Sequence, residues 1–230
     1  MAGRSYGQYC GVGTALELVG ERWALLIVRD LLVGPRRYSD LQRGLEKIPT
    51  NILAARLKEL QASGVVRRAP LPTARAGIVY ELTDFGRGLE DVVLALGRWG
   101  FKAMGEPTQD DVVTPDSMTM ALRTAFVPGV AAELPDAVYE VHVGDVVLTA
   151  SVQGEELTVT PGSAARADLV IVTGPGLRQV ISGELTPTEA IDAEVVTVTA
   201  GDARLLERFA ATFHLDPGPV PARREDLAAS

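Results

Sequence analysis

The 230-residue sequence predicts an α+β protein of two domains. The first is mostly helical with one two-stranded sheet, and the second pairs an antiparallel sheet with helices. Three observations carry this prediction. Apolar residues recur at helical spacing through the first third of the chain, interrupted by a single pair of β-branched runs. From Ala137 onward the runs alternate instead, separated by Gly144-Asp145 and Gly154-Glu155 turns. The charge divides with the pattern: residues 1–105 hold 15 Lys and Arg against 10 Asp and Glu, and residues 106–230 hold 7 against 20. The overall net charge of −8 thus conceals a positive half, an asymmetry that suits an anionic partner for that half.

Leu16, Val19, Trp23, Leu26 and Ile27 predict two helices, over about 10–19 and 22–33, with Gly20 between them and Gly34-Pro35 as the stop. Ser39 followed by Gln42 reads as a capping box and sets the start of the next helix at Ser39. A further helix runs from Thr50 to before Gly64. Leu53, Leu57 and Leu60 share one of its faces, and the other carries Asn51, Ala55 and Lys58, with Ala54 and Glu59 at its edges. Short side chains with one amide in the first turn suit a helix lying in a major groove, where Asn reads an adenine edge. The same composition also suits an ordinary solvated face.

Val65-Val66-Arg67-Arg68 and Ile78-Val79-Tyr80-Glu81-Leu82 read as paired strands joined by a Pro- and Gly-containing loop that holds Arg75. Two short helices, a turn and a basic hairpin make a winged helix-turn-helix. The expected contacts with double-stranded DNA are Arg36, Arg37, Ser39, Thr50, Asn51, Ala54, Ala55, Lys58, Arg67, Arg68 and Arg75. Thr83-Asp84 opens one long helix. Its apolar face, Leu89, Val92, Val93, Leu96 and Trp99, is broad enough for the first helices and for a second copy of the chain.

The segment from Cys10 to about Met104 resembles the HxlR family of bacterial winged helix-turn-helix regulators. The resemblance rests on Gly20-Glu21-Arg22-Trp23, on Gly34-Pro35-Arg36-Arg37-Tyr38-Ser39-Asp40-Leu41, on Leu53 through Leu60, on Tyr80-Glu81-Leu82-Thr83 with Gly86, and on Ala95-Leu96-Gly97-Arg98-Trp99. It implies a homodimer with the first and last helices of this domain at the interface and the Thr50–Ser63 helix in the groove. Family members often carry Cys-Pro near the start and some sense oxidants with that cysteine. Here Cys10 is followed by Gly11, and both a redox and a structural role stay open.

The acidic, polar run 106–116 reads as a linker. Beyond it the sequence predicts a helix over Met118–Phe126, then strands over 137–143, 146–152, 157–160, 169–172 and 195–198. Helices are predicted at Gly176–Ser182, after Thr186-Pro187-Thr188-Glu189, and after Asp202. This half, 117–214, resembles the sterol-carrier-protein type of domain through Ser182-Gly183-Glu184-Leu185-Thr186-Pro187, Ala190-Ile191, Val195 to Thr199 and Gly201-Asp202. That family often has glycine before its last strand, where this chain has Ala193-Glu194. The resemblance implies an apolar cavity for a small hydrophobic ligand, with Phe126, Leu177, Ile181, Phe209 and Phe213 as lining candidates or as plain core. Residues 215–230 read as a flexible tail.

Catalytic signatures are sparse. His142 and His214 lack ligand-type neighbours at metal spacing, Gly11-Val12-Gly13 lacks a third glycine, and no Walker or Gly-x-Ser-x-Gly pattern occurs. Neither an enzyme nor a bound cofactor is expected. One cysteine, no signal-peptide pattern and no long apolar run lead to the expectation of a cytoplasmic protein that does not enter the membrane. The combined expectation is a homodimeric DNA-binding regulator controlled by a hydrophobic ligand. The alternative is a regulator whose C-terminal domain is a filled structural or interaction module.

Overall fold

The computed structural model describes residues 5–71, 77–105, 108 and 111–218. The chain divides into two compact units, one up to Val93 and one from Leu94 onward.

The first unit contains α1 (Gly11–Val19), α2 (Ala24–Val33), α3 (Tyr38–Gly44), α4 (Thr50–Ala62), β1 (Val66–Pro70), β2 (Ile78–Leu82), α5 (Asp84–Arg87) and the start of α6 (Glu90–Phe101). Its core joins Ile27, Val28 and Leu31 of α2 to Leu41 of α3, and to Leu53, Leu57 and Leu60 of α4. The i, i+4, i+7 leucines of α4 are at most 1% exposed, so the predicted amphipathic face is the buried one. β1 and β2 pair antiparallel from Val66–Leu82 to Pro70–Ile78.

Three expectations are corrected here. The cap of α3 is Arg37, not Ser39: the Asp40 carboxylate accepts the Arg37 backbone N–H at 3.1 Å, so an acid at the third helical position ends the turn where Ser39-Gln42 was expected to. The strand β1 continues through Pro70, past the Val65–Arg68 strand expected from sequence, and Pro70 pairs with Ile78 at the loop end of the hairpin. The single long helix expected after Thr83 is two. Thr83 caps α5 by accepting the Gly86 N–H at 3.0 Å. Gly86 then passes so close to β1 that a Cβ there would lie 2.1 Å from the Val65 carbonyl oxygen, and the chain turns before α6 begins.

The second unit contains the end of α6, α7 (Pro115–Ala125), α8 (Pro128–Ala131), β3 (Ala137–Val143), β4 (Val146–Gln153), β5 (Glu156–Pro161), β6 (Leu169–Thr173), α9 (Leu177–Ile181), α10 (Pro187–Asp192), β7 (Val196–Gly201) and α11 (Leu205–Thr212). All five predicted strands are present. The sheet order is β5-β4-β3-β6-β7, and it corrects the antiparallel sheet expected from sequence: β3 and β6 run parallel, from Tyr139–Leu169 to Val143–Thr173. The meander β3-β4-β5 ends at one edge, and the chain then crosses back to lay β6 on the far side of β3.

Alternation assigns the sheet's faces. Tyr139, Val141, Leu148, Ala150, Leu169 and Ile171 enter the core with Leu122, Leu206, Phe209 and Phe213 from the helices. α7 starts at Pro115 rather than Met118, because Thr114 and Ser117 form a reciprocal cap with Pro115 at the first helical position. The box at Thr186 forms as its sequence predicts: Glu189 accepts the Thr186 N–H at 2.9 Å and the Thr186 hydroxyl accepts the Glu189 N–H at 3.3 Å. Among the described residues no helix is long and apolar enough to cross a membrane.

Candidate nucleic-acid interface

The site is built on the leucine face of α4. Burying Leu53, Leu57 and Leu60 turns Thr50, Asn51, Ala54 and Lys58 outward, with Ala55 half-buried beside them. The helix is held at its start by a tyrosine of the preceding helix. The Tyr38 hydroxyl, on α3, donates to the Thr50 carbonyl at 2.8 Å and ties the first turn of α4 to its partner helix. Pro49, the residue before α4, supplies an extended backbone and no side-chain cap. The first-turn amides of α4 therefore receive no side-chain cap from the residue before the helix.

The hairpin is joined to this frame through Arg36. Its N–H donates to the Tyr80 carbonyl at 3.0 Å and its carbonyl accepts the Tyr80 N–H at 2.8 Å. Arg36 is half-buried, while Arg37 and Ser39 are exposed. The two strand arginines differ. Arg67 lies opposite Glu81 and its Nε donates to the Glu81 carboxylate at 2.8 Å, so its charge is already engaged. Arg68 lies opposite Tyr80 and holds its guanidinium 5.9 Å from that ring centre. Arg75 lies outside the described residues. The structure thus gathers Arg36, Arg37, Ser39, Thr50, Asn51, Ala54, Ala55, Lys58, Arg67 and Arg68 into one unit. It adds Tyr38 and Tyr80 as supports and Glu81 as an internal competitor for Arg67. The Arg36-Arg37-Tyr38 run and the Arg67/Glu81 alternation carried these in the sequence, but only register reveals which charges meet.

Cys10 is exposed and immediately precedes α1. Hydrogen bonding from the backbone amide of Gly13, then of Val12, holds its thiol below the ordinary range. This effect comes from backbone amides at the start of a helix, which residue types alone do not reveal. Beside it an open apolar groove of about 450 Å³ is lined by Thr14, Ala15, Leu18, Val65, Phe85 and Leu89, among others. On α6, Val92, Leu96 and Trp99 are 52%, 44% and 70% exposed, an apolar stripe at i, i+4 and i+7.

The five lining candidates of the second unit lie in its core. Phe209 and Phe213 have no water-accessible surface and their ring centres are 4.7 Å apart; Tyr139 meets Phe209 edge-on at 5.3 Å. Phe126 tilts against Phe213 at 5.9 Å, and Leu177 and Ile181 are buried in the same cluster. A side chain bordering a water-sized void retains surface facing it; Phe209 and Phe213 retain none. Among the described residues no group of three or more His, Cys, Asp and Glu is placed to hold a metal ion.

Two helices with a short turn, the second presenting a small polar face, followed by a two-stranded wing, define the helix-turn-helix class. Residues 18–108 match the HxlR-like helix-turn-helix family. A HTH-type transcriptional regulator of Mycobacterium tuberculosis, Rv3095, is 42% identical over 96 residues, 42% of this chain and 60% of its own length. The YvaP regulator of Bacillus subtilis is 36% identical over 85 residues, 37% of this chain and 79% of its own. Among solved structures, the redox regulator HypR in its oxidized form is 30% identical, with a TM-score of 0.39, over 42% of this chain and 99% of that one. The chain belongs to the HxlR family. It spans about 60% of the length of the mycobacterial relative it matches.

Proposed function

We propose that this protein is a homodimeric transcriptional regulator that binds double-stranded DNA with α4 in the major groove and the β1–β2 wing along the backbone. The observation that carries it is the outward face of α4. Asn51, Ala54 and Lys58 are exposed on a helix pinned by its leucines and by the Tyr38–Thr50 hydrogen bond. Arg37 and Arg68 supply phosphate contacts, Arg36 couples wing to helix, and Arg67 joins only if it leaves Glu81. The stripe Val92-Leu96-Trp99 is the dimer contact, and a two-fold dimer reads half-sites about 34–36 Å apart. Selection of genomic fragments bound by the purified protein at near-physiological salt tests this. An enriched inverted repeat supports it, and salt-sensitive binding with no enriched site overturns it.

For the second unit, the sterol-carrier resemblance supports a hydrophobic ligand as the controlling signal. The packed rings of Phe209, Phe213 and Tyr139 favour the other reading, a filled module. A fluorescent fatty acid that raises the melting temperature and changes DNA affinity establishes the ligand reading; no shift leaves the filled module. Cys10, exposed at the head of α1, is the candidate oxidant-sensing residue. Cys10→Ser then abolishes any response of DNA binding to oxidant while sparing binding itself.

A further inference from the structure

The side of α4 turned away from Asn51 carries a charge cluster. At 3.6 residues per turn Arg56 lies about 140° around the helix from Asn51, so it does not share the outward face. Its side chain is only 14% exposed. One guanidinium nitrogen lies 3.4 Å from a Glu21 carboxylate oxygen, and another pairs with Glu59 one turn along α4. Its Nε is buried without a hydrogen-bond partner, so the group's position is set by the two carboxylates.

Glu21 belongs to the turn between α1 and α2, and this turn is tightly built. Gly20 donates to the Leu16 carbonyl at 2.9 Å, and a Cβ on it would lie 2.4 Å from that oxygen. Trp23 has φ +79°, a left-handed conformation that costs a bulky residue about 1–2 kcal/mol and persists only where its surroundings enforce it. The Arg22 guanidinium lies 5.4 Å from the Trp23 ring centre. A strained, crowded turn therefore delivers one carboxylate to the back of α4.

We propose that Arg56 is a positioning residue for DNA binding. Held between Glu21 and Glu59, it fixes α4 against the α1–α2 turn and so sets how the Asn51 face is presented. This rests on the DNA-binding reading of α4. It makes a prediction that plain electrostatics reverses. Removing the Glu21 charge takes an anion away from a DNA-binding unit, which on charge alone strengthens binding. If Glu21 instead anchors Arg56, its neutralisation weakens binding.

The test uses full-length Glu21→Gln, Arg56→Gln and Arg56→Lys, titrated against a fluorescein-labelled duplex carrying the repeat recovered by selection, at several salt concentrations. Urea unfolding is followed in parallel. Glu21→Gln is expected to weaken binding by about tenfold, and the double variant with Arg56→Gln no further. The salt slope stays at its wild-type value in both. Arg56→Lys keeps the charge but not the two-carboxylate fork, and is expected to weaken binding as well. The proposal is overturned if Glu21→Gln strengthens binding or leaves it unchanged. It is also overturned if Arg56→Gln lowers the salt slope by about 0.9, the mark of a lost phosphate contact. If Arg56→Gln does not fold, Glu21→Gln and Arg56→Lys decide alone. Arg37→Ala on the same duplex separates the two levels: if it too has no effect, the DNA reading fails, and if it weakens binding while Glu21→Gln does not, only the positioning role fails.

Discussion

The two units divide their side chains in opposite ways. The first leaves apolar and basic groups outside: Val92, Phe85, Leu16 and Val12 are all exposed, and its part of the sequence carries the positive balance. The second closes Tyr139, Phe209 and Phe213 into its core, and its part of the sequence carries the acidic balance. Unpaired apolar surface at a domain of this size marks a binding surface, and closed aromatic packing marks a self-sufficient core. The contrast is consistent with the proposed recognition surface on the first unit, and the ligand-controlled and filled readings of the second unit are what the tests below separate.

The contrast is broken most forcefully in the second core. Phe213→Ala removes a ring that touches Phe209, Tyr139 and Phe126, and is expected to lower stability by about 3–5 kcal/mol, read by urea unfolding. A much smaller loss means that the core is loosely filled and strengthens the ligand reading. In the first unit, Tyr38→Phe deletes the hydrogen bond to Thr50 and leaves the ring; about 1 kcal/mol of stability is expected to go with it.

A pH effect sharpens the same comparison. Glu140, 8% exposed on β3, binds His142 Nε2 at 2.6 Å and accepts the Ala164 N–H at 2.8 Å. The hydrogen bond from His142, then the Ala164 amide and the Ser163 hydroxyl, hold its carboxyl below the ordinary range against the opposing cost of burial. A lowered folded-state pKa contributes stability that is present above the unfolded value of about 4.3 and lost as pH falls through the lower folded value. Glu140→Gln is therefore expected to flatten the acid limb of the second unit's stability profile, read as melting temperature against pH. An effect as small as that of Tyr38→Phe, and opposite in sign, belongs to Glu194, whose φ of +56° is left-handed. Glu194→Gly is expected to stabilise by about 1 kcal/mol in urea unfolding.

That last residue shows what sequence can deliver. The absence of the expected glycine before the last strand was visible, and the structure supplies its meaning: the chain still takes the left-handed turn and a glutamate bears it. Local signals read well for the same reason. The leucine face of α4, the Thr186 box and all five strands of the second unit are set by neighbours within a few residues. The parallel β3–β6 pairing was not legible, because alternation fixes a strand's face and leaves its neighbours open. The break after Gly86 depends on a carbonyl twenty-one residues away, at Val65. In the interface, the types and positions of the outward residues were readable, whereas the Arg67–Glu81 pair, the Tyr38–Thr50 tie and the amides at Cys10 required register and three-dimensional contact.

The most direct test is the affinity of the wild-type protein and Asn51→Ala for the recovered repeat and for a scrambled duplex, at one fixed salt concentration. If α4 reads bases, the wild type prefers the repeat by about 10³-fold or more, and Asn51→Ala loses about 10- to 100-fold on the repeat and nothing on the scrambled duplex. Equal loss on both duplexes, or no wild-type preference, contradicts a reading helix at α4.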